Sequence, residues 1–284
     1  MKKNKLTILI VLILSTIFAY GQGPKIAPGQ DIVGYGYNVF GKFADNESLK
    51  NYCLFNWGDP YTKAFGSHQY SIPGKVMLKN VGKKVKTEVS GANKRSYAKS
   101  FAASVGMGFD AVVFSASVNT TFSKSSSGST AEYFHTIRDA NRIWQIAIDE
   151  RFDHKVMLKP KVKQDINNMA PSKLFDIYGT HYVASAFLGG RADYSTVTKI
   201  TTSMNTQSIG TAVEASYNRI SANASTDLSK EEKHVQENTK STLTVTGGNA
   251  EFANNIHNYE AYANWAAGIR DMPVLCDFDE KSLI

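Results

Sequence analysis

The chain has 284 residues, 42 % of them hydrophobic and 20 % charged, with a formal charge of +7. That is ordinary globular composition, enough for one large domain or two small ones. The basic clusters "KNVGKKVK" and "NKRSYAK" lack interleaved stacking aromatics and any module spacing, so they read as solvated strand faces and no nucleic-acid partner is expected.

Lys2, Lys3 and Lys5 precede the apolar run "LTILIVLILSTIFA", and "AYG" then places small residues at a cleavage site. A cleaved signal peptide is expected over 1–21, and with it a secreted or cell-surface location. Its removal takes three lysines and leaves a charge of +4. No cysteine follows the run, which disfavours a lipid anchor. "GQGPKIAPGQ" predicts a flexible N-terminus over 22–30, ahead of one domain over 31–284. No later stretch approaches about 18 consecutive apolar residues, so entry into a bilayer would have to use strands.

Residues 31–58 open on the alternating, aromatic "DIVGYGYNVFGKFAD", and "NESLKNYCLFNW" predicts a short helix. "DPYTKAFGSHQYSIPG" is rich in turn residues, and Lys75 to Val89 reads as a strand with its apolar residues set among lysines. "AEYFHTIRDANRIWQIAI" predicts a long strand with exposed charges. In "KQDINNMAPSKLFDIYG", Ile166, Met169, Leu174 and Ile177 recur near helical spacing. Alternation resumes at Tyr182, "NTKSTLTVTGGN" is a strand ending on a glycine pair, and "AEFANNIHNYEAYANWAAGI" predicts a terminal helix with Phe252, Ile256, Tyr259 and Tyr262 on one side. Long strands separated by helices and loops indicate an α+β domain. Trp57, Trp144 and Trp265 read as core residues rather than interfacial anchors. Cys53 and Cys276 permit a disulfide in an oxidising compartment, with two separate buried thiols as the equal alternative.

Two segments carry conflicting signals. In the first, about 97–130, Phe101, Ala103, Val105, Met107, Phe109, Ala111 and Val113 alternate with small or polar residues. The phase flips around 112–114, after which Phe114, Ala116, Val118 and Phe122 take the apolar side and "SKSSSGST" follows as a turn. The same stripe also suits a helix and strand covering a core. In the second, about 196–244, Thr, Ser, Ala and Asn dominate, and Ser229 with Glu232 forms a capping box that predicts a short polar helix. Strand and helix signals in one stretch mark a segment with two folded states.

The stretch "YGTHYVASAFLGGR", Tyr178 to Arg191, resembles the signature of the membrane attack complex/perforin (MACPF) family. The order around it is similar too: a Ser/Ala/Gly-rich segment, "AEYFHTIRDANRIW", the signature, a polar segment, "TVTGGN" and a Trp-bearing helix, together covering roughly 31–278. The resemblance, closest to short bacterial members, implies a bent, twisted four-stranded antiparallel sheet flanked by two helical clusters, as in the related cholesterol-dependent cytolysins. In pore-forming members both clusters unfurl into amphipathic hairpins when subunits assemble into a ring, and the two conflicted segments sit where those clusters belong. Neither contains proline, which would delete a ladder bond. The candidate lipid-facing residues are Phe101, Val105, Met107, Phe109 and Val113.

The resemblance makes Tyr178, Gly179, Thr180, His181 and Tyr182 structural: a helix end, a glycine that lets the chain turn into a strand, and two rings that fix the junction. Gly189 and Gly190 read as a strand bulge or bend, or as a hinge about which the sheet straightens. His68, His135, His154, His181, His234 and His257 make no ligand pair, no serine sits in a nucleophile elbow, and neither cysteine has a local motif. No enzyme activity, metal or cofactor is therefore expected. The implied function is a secreted pore-forming toxin or antibacterial effector, a homo-oligomeric ring whose partners are target-membrane lipids or a surface receptor. The chain ends at "DFDEKSLI" without a separate targeting domain, so the core or a partner supplies targeting, or the chain is incomplete. With the polarity of the second segment, this favours the alternative of a non-lytic cell-surface binding or adhesion protein on the same scaffold.

Overall fold

The computed structural model describes residues 23–106, 113–123, 131–224 and 227–284. Five short strands open it: β1 (Lys25–Ile26), β2 (Tyr35–Tyr37), β3 (Leu49–Cys53), β4 (Tyr61–Phe65) and β5 (His68–Ile72). Then come β6 (Val76–Gly91), β7 (Glu132–Ile148), β8 (His181–Tyr182), β9 (Ser185–Lys199), β10 (Thr239–Thr246) and β11 (Val274–Asp277). Helices α1 (Lys94–Val105) and α2 (Ser115–Phe122) lie between β6 and β7. Helices α3 (His154–Met157), α4 (Pro160–Asn168) and α5 (Pro171–Tyr178) lead from β7 to β8. Between β9 and β10 lie α6 (Thr206–Ser221) and α7 (Lys230–Glu237), and α8 (Ala250–Ala253) and α9 (Tyr259–Ala267) precede β11.

The spine is a bent, twisted antiparallel sheet in the order β10-β9-β7-β6, with β11 pairing β9 beyond the end of β10. Its three long strands have 16, 17 and 15 residues, against about 5–6 for an ordinary strand. Strands β7 and β9 have neighbours on both sides and helices on both faces, so they are buried almost continuously and show little alternation. The edge strand β6 keeps an alternating pattern. Two small sheets, β1-β5-β4 and β3-β2-β8, complete the fold.

Several local expectations give way to tertiary contacts. Residues 46–53 form one 3₁₀ turn, capped by Asp45, followed by β3, because pairing with β2 outweighs a short helical preference. The charges of β7 are inside, not exposed: Arg138 and Asp139 are both buried. The helix expected over 163–179 is two helices, each starting on a proline that suits a first turn. Ile166 and Ile177 face outward there, and Val162, Asp165 and Tyr178 are the buried residues. The terminal helix is likewise two, since Asn249 and Asn258 each cap a separate start; Tyr262 is buried while Tyr259 is exposed. Residues 25–27 are not a loose tail: β1 pairs with β5 and Ala27 is buried. Cys53 and Cys276 are free thiols, one in the β3 sheet and the other buried in the large sheet, each directed at a backbone carbonyl. Trp144 and Trp265 are core residues, and Trp57 packs half-buried against the core. The expected signal peptide lies outside the described residues.

Candidate functional site

Helix α5 ends where Gly179 turns at φ +81°, and a Cβ there would sit 2.6 Å from the backbone N and O of Tyr37. Only glycine fits that approach. Thr180 accepts from the Val39 amide at 3.1 Å, and its own amide donates to the Tyr37 carbonyl at 3.0 Å. His181 and Tyr182 then pair with Tyr37 and Gly36 of β2. The Tyr182 hydroxyl meets His154 Nδ1 at 2.6 Å, and burial lowers the His181 pKa. The signature residues thus meet in one junction between α5, β2 and β8.

Between the strands, the described residues of the two conflicted segments are mainly helical, and they cover opposite faces of the sheet. On the first face, the Tyr97 hydroxyl of α1 donates to Thr136 at 2.8 Å, and Thr136 meets Ser195 at 2.9 Å. The Arg138 guanidinium lies 4.5 Å from the ring centroid of Phe43 and 4.6 Å from that of Phe101. Arg138 Nε and Arg191 Nε donate to the two oxygens of Asp193 at 3.1 and 2.9 Å. Burial would raise the Asp193 carboxyl, but the two guanidinium groups hold it below its ordinary value. Phe101 and Val105 are buried on α1, Val113 is buried beyond it, and Met107 and Phe109 lie outside the described residues.

The second face carries α6. The Tyr217 hydroxyl donates to Asp139 at 2.8 Å and meets the Tyr262 hydroxyl at 3.1 Å, while Lys84 pairs with Asp139 at 2.9 Å. Lys86 bridges β6 to Glu214 of α6 at 2.6 Å. Beneath α6 sits His135, buried, whose ring nitrogens have no hydrogen-bond partner among the described residues; its Nε2 lies 3.5 Å from a Glu88 oxygen, an ion pair only when the imidazole is protonated. Both segments begin on matching capping boxes, Asn93 with Ser96 and Asn205 with Ser208. The box of Ser229 and Glu232 starts α7.

One line across the sheet is irregular. The β6–β7 register slips between Asn80 and Lys83, the β7–β9 register between Arg142 and Trp144, and the β9–β11 register between Leu275 and Asp277. Bulges bend a strand and raise its twist, so this row is the line of the bend. Gly189 and Gly190 lie on it: β10 ends at Thr246 opposite Arg191, and β11 starts at Val274 opposite Gly189. A Cβ on Gly189 would meet the Asn141 carbonyl oxygen at 1.9 Å, and one on Gly190 would meet the Ile269 side chain at 2.7 Å.

A profile of the MAC/Perforin domain matches residues 26–283, nearly everything described. The chain belongs to the MAC/Perforin domain family. Among solved MAC/Perforin-like structures, GNIP1Aa of Chromobacterium piscinae is similar at 26 % identity and a TM-score of 0.79, over 89 % of this chain and 50 % of that one. A putative cell invasion protein with a MAC/Perforin domain from Bacteroides thetaiotaomicron shares the fold at 14 % identity and a TM-score of 0.60, over 88 % of this chain and 55 % of its own. This MAC/Perforin chain therefore spans about half the length of those two proteins. No curated protein matches.

Sequence reasoning missed the charged seats under the helices. Arg191 and Asp193, two apart in one strand, necessarily share a face, and "TIRDAN" carries the facing charges; read as a buried strand pair, these were the available signal.

Proposed function

We propose that the chain is a secreted pore-forming protein that assembles into a ring of identical copies on a target membrane and inserts two β-hairpins from each. The carrying observation is topological. The segments 92–131 and 200–238, nearly equal in length, each stand where a hairpin turn would join two paired antiparallel strands, and both lie at the same end of the sheet. Rewriting them as strand prolongs ladders that already exist. Each arm would then exceed the about 9–11 residues that a crossing strand needs. A closed ring of such hairpins leaves no unpaired edge in lipid.

In this reading the target is lipid or a surface receptor, the role is that of a toxin or antibacterial effector, and no catalytic step is assigned. Gly189 and Gly190 serve as the hinge at the line of the bend. Full-length mature protein is mixed with dye-loaded liposomes, and rings are counted by electron microscopy. Dye release with rings is the expected result. Rings without release favour the non-lytic binding protein, and neither overturns the proposal. In the same assay Gly190→Ala, whose Cβ would press on buried Ile269, is expected to lower the melting temperature and, at temperatures where it stays folded, to lose most release; full release by the folded variant would reject the hinge.

A further inference from the structure

The strand register specifies more than the presence of hairpins. In β9 and β10, Thr198 lies opposite Thr239. Continuing one residue at a time along both strands brings Tyr217 opposite Ile220, with Asn218 and Arg219 as a two-residue turn. Two-residue turns are the common hairpin connection. The side-chain period of two then assigns every residue between to a face.

Asp193 and Ser195 mark the face now covered by α1 and α2, through Arg138 and Thr136. Residues of the same parity on the outgoing arm are Ile209, Thr211, Val213, Ala215 and Tyr217. On the returning arm Thr242 pairs Ser195, so even positions share that face: Ile220, Ala222, Ala224 and Leu228. The other face receives Glu214 and Asp227, and Arg219 lies in the turn, so no charged residue between 209 and 228 falls on the stripe. An apparently polar segment thus becomes one uncharged stripe over 209–217 and 220–228, close to the about 9–11 residues of a crossing strand.

The first insertion supplies an independent check. Gly91 lies opposite Phe134, which places its turn at 112–113, where the sequence alternation changes phase. Val89 pairs Thr136, so Phe101 and Val105 on one arm, and Val118 and Phe122 on the other, fall on the same sheet face as Ile209 and Ala222. Each of the four arms had two parities available, and outside the turns the larger apolar residues within 97–122 and 209–228 fall on one face in all four.

We infer that residues 209–228 form a lipid-binding hairpin with its tip at Asn218–Arg219. Its hydrocarbon-facing residues are those that share a face with Asp193 and Ser195, and Glu214, Arg219 and Asp227 face water. This rests on the pore-forming reading. Ala222 and Asn223 are adjacent and both exposed in the soluble form, so they report the hairpin without a background from helix packing.

In full-length protein carrying Cys53→Ser and Cys276→Ala, an environment-sensitive dye is placed at Ala222→Cys or at Asn223→Cys. The vesicles are phosphatidylethanolamine/phosphatidylglycerol or phosphatidylcholine/cholesterol, with and without nitroxide-labelled lipid. A blue shift and nitroxide quenching at 222, with neither at 223, is the expected result. Leakage with the reverse pattern, or with equal responses, overturns this assignment and leaves the pore intact. No leakage from either vesicle and no dye response overturns the pore reading and this assignment with it. As a second measurement, Ala224→Arg at mid-arm should slow leakage at least about tenfold and Asn223→Arg less than about threefold, since an arginine is costly only on the lipid face. Equal slowing by the two variants also overturns the assignment.

Discussion

The two helical segments rest on the same sheet in opposite ways. Over the first, Phe43, Phe101 and Phe114 meet edge-on, Tyr97 stacks on Phe101 and meets Phe122 edge-on, and the space left above Arg138 is only about 40 Å³. Beneath the second lie a tyrosine–aspartate network, a lysine–glutamate bridge and a lone buried histidine, and a cleft of about 500 Å³ separates α6 and α7 from β9 and β10. Ring packing responds weakly to pH and salt, whereas ion pairs and a buried imidazole respond to both. Two segments alike in topology are thus held by contacts of different sensitivity, and the second is expected to loosen first.

The largest effect tests the ring-packed side. Phe101→Ala removes a fully buried ring that touches Phe43, Phe114, Tyr97 and Arg138. It should cost about 3–5 kcal/mol in urea denaturation. A loss below about 1 kcal/mol would show that the aromatic cluster does not hold the first segment.

A smaller loss is expected on the polar side. Tyr217→Phe deletes the hydroxyl that links Asp139 to Tyr262 and should cost about 1–2 kcal/mol. Amide exchange should quicken across 206–221 and stay unchanged across 94–105. Equal change in both helices would mean that the segments open as one unit, and the contrast between them would fall.

The smallest and most gradual effect is acid. Burial lowers the His135 pKa below its ordinary 6.5; Glu88 and Glu214 oppose this, and Lys86 adds to it. The unfolded chain therefore takes up the proton first, so stability present at neutral pH is lost as pH falls below 6.5. Asp193, held below its ordinary 3.8, keeps its contribution until the pH is far lower. The protection factors of α6, which are taken relative to intrinsic exchange at each pH, should fall from about pH 7 to 5.5 while those of α1 hold, and His135→Gln should flatten that fall. An α6 that does not respond to pH would exclude His135 as the sensitive point.

Much of this was legible beforehand because it is local or periodic. The long strands β6 and β7 follow from alternation and β-branched content, and the start of α7 from Ser229 and Glu232. The family follows from "YGTHY" and the order of its flanks. The alternating stripe of the first segment was visible too, although not which structure it serves in the soluble chain. Phe101 and Val105 are four apart, a spacing that satisfies a helix face and a strand face alike. The second segment appeared merely polar, because its apolar residues are small, are diluted by threonine, and change parity at 218–219.

By itself the sequence determined the family, the strand-rich core, and the two stretches able to be either helix or strand. Tertiary structure decided everything that depends on which residues stand opposite one another. It buried Arg138 because Asp193 and two phenylalanine rings face it, and it kept Cys53 and Cys276 in separate sheets. It set Gly189 against the Asn141 carbonyl, where no side chain fits. It also fixed the ladders Gly91–Phe134 and Thr198–Thr239, from which the faces and tips of the proposed hairpins are counted. The physical reason is that propensity and periodicity act within one strand or helix, whereas register and the pairing of buried charges are properties of two strands brought together from distant parts of the chain.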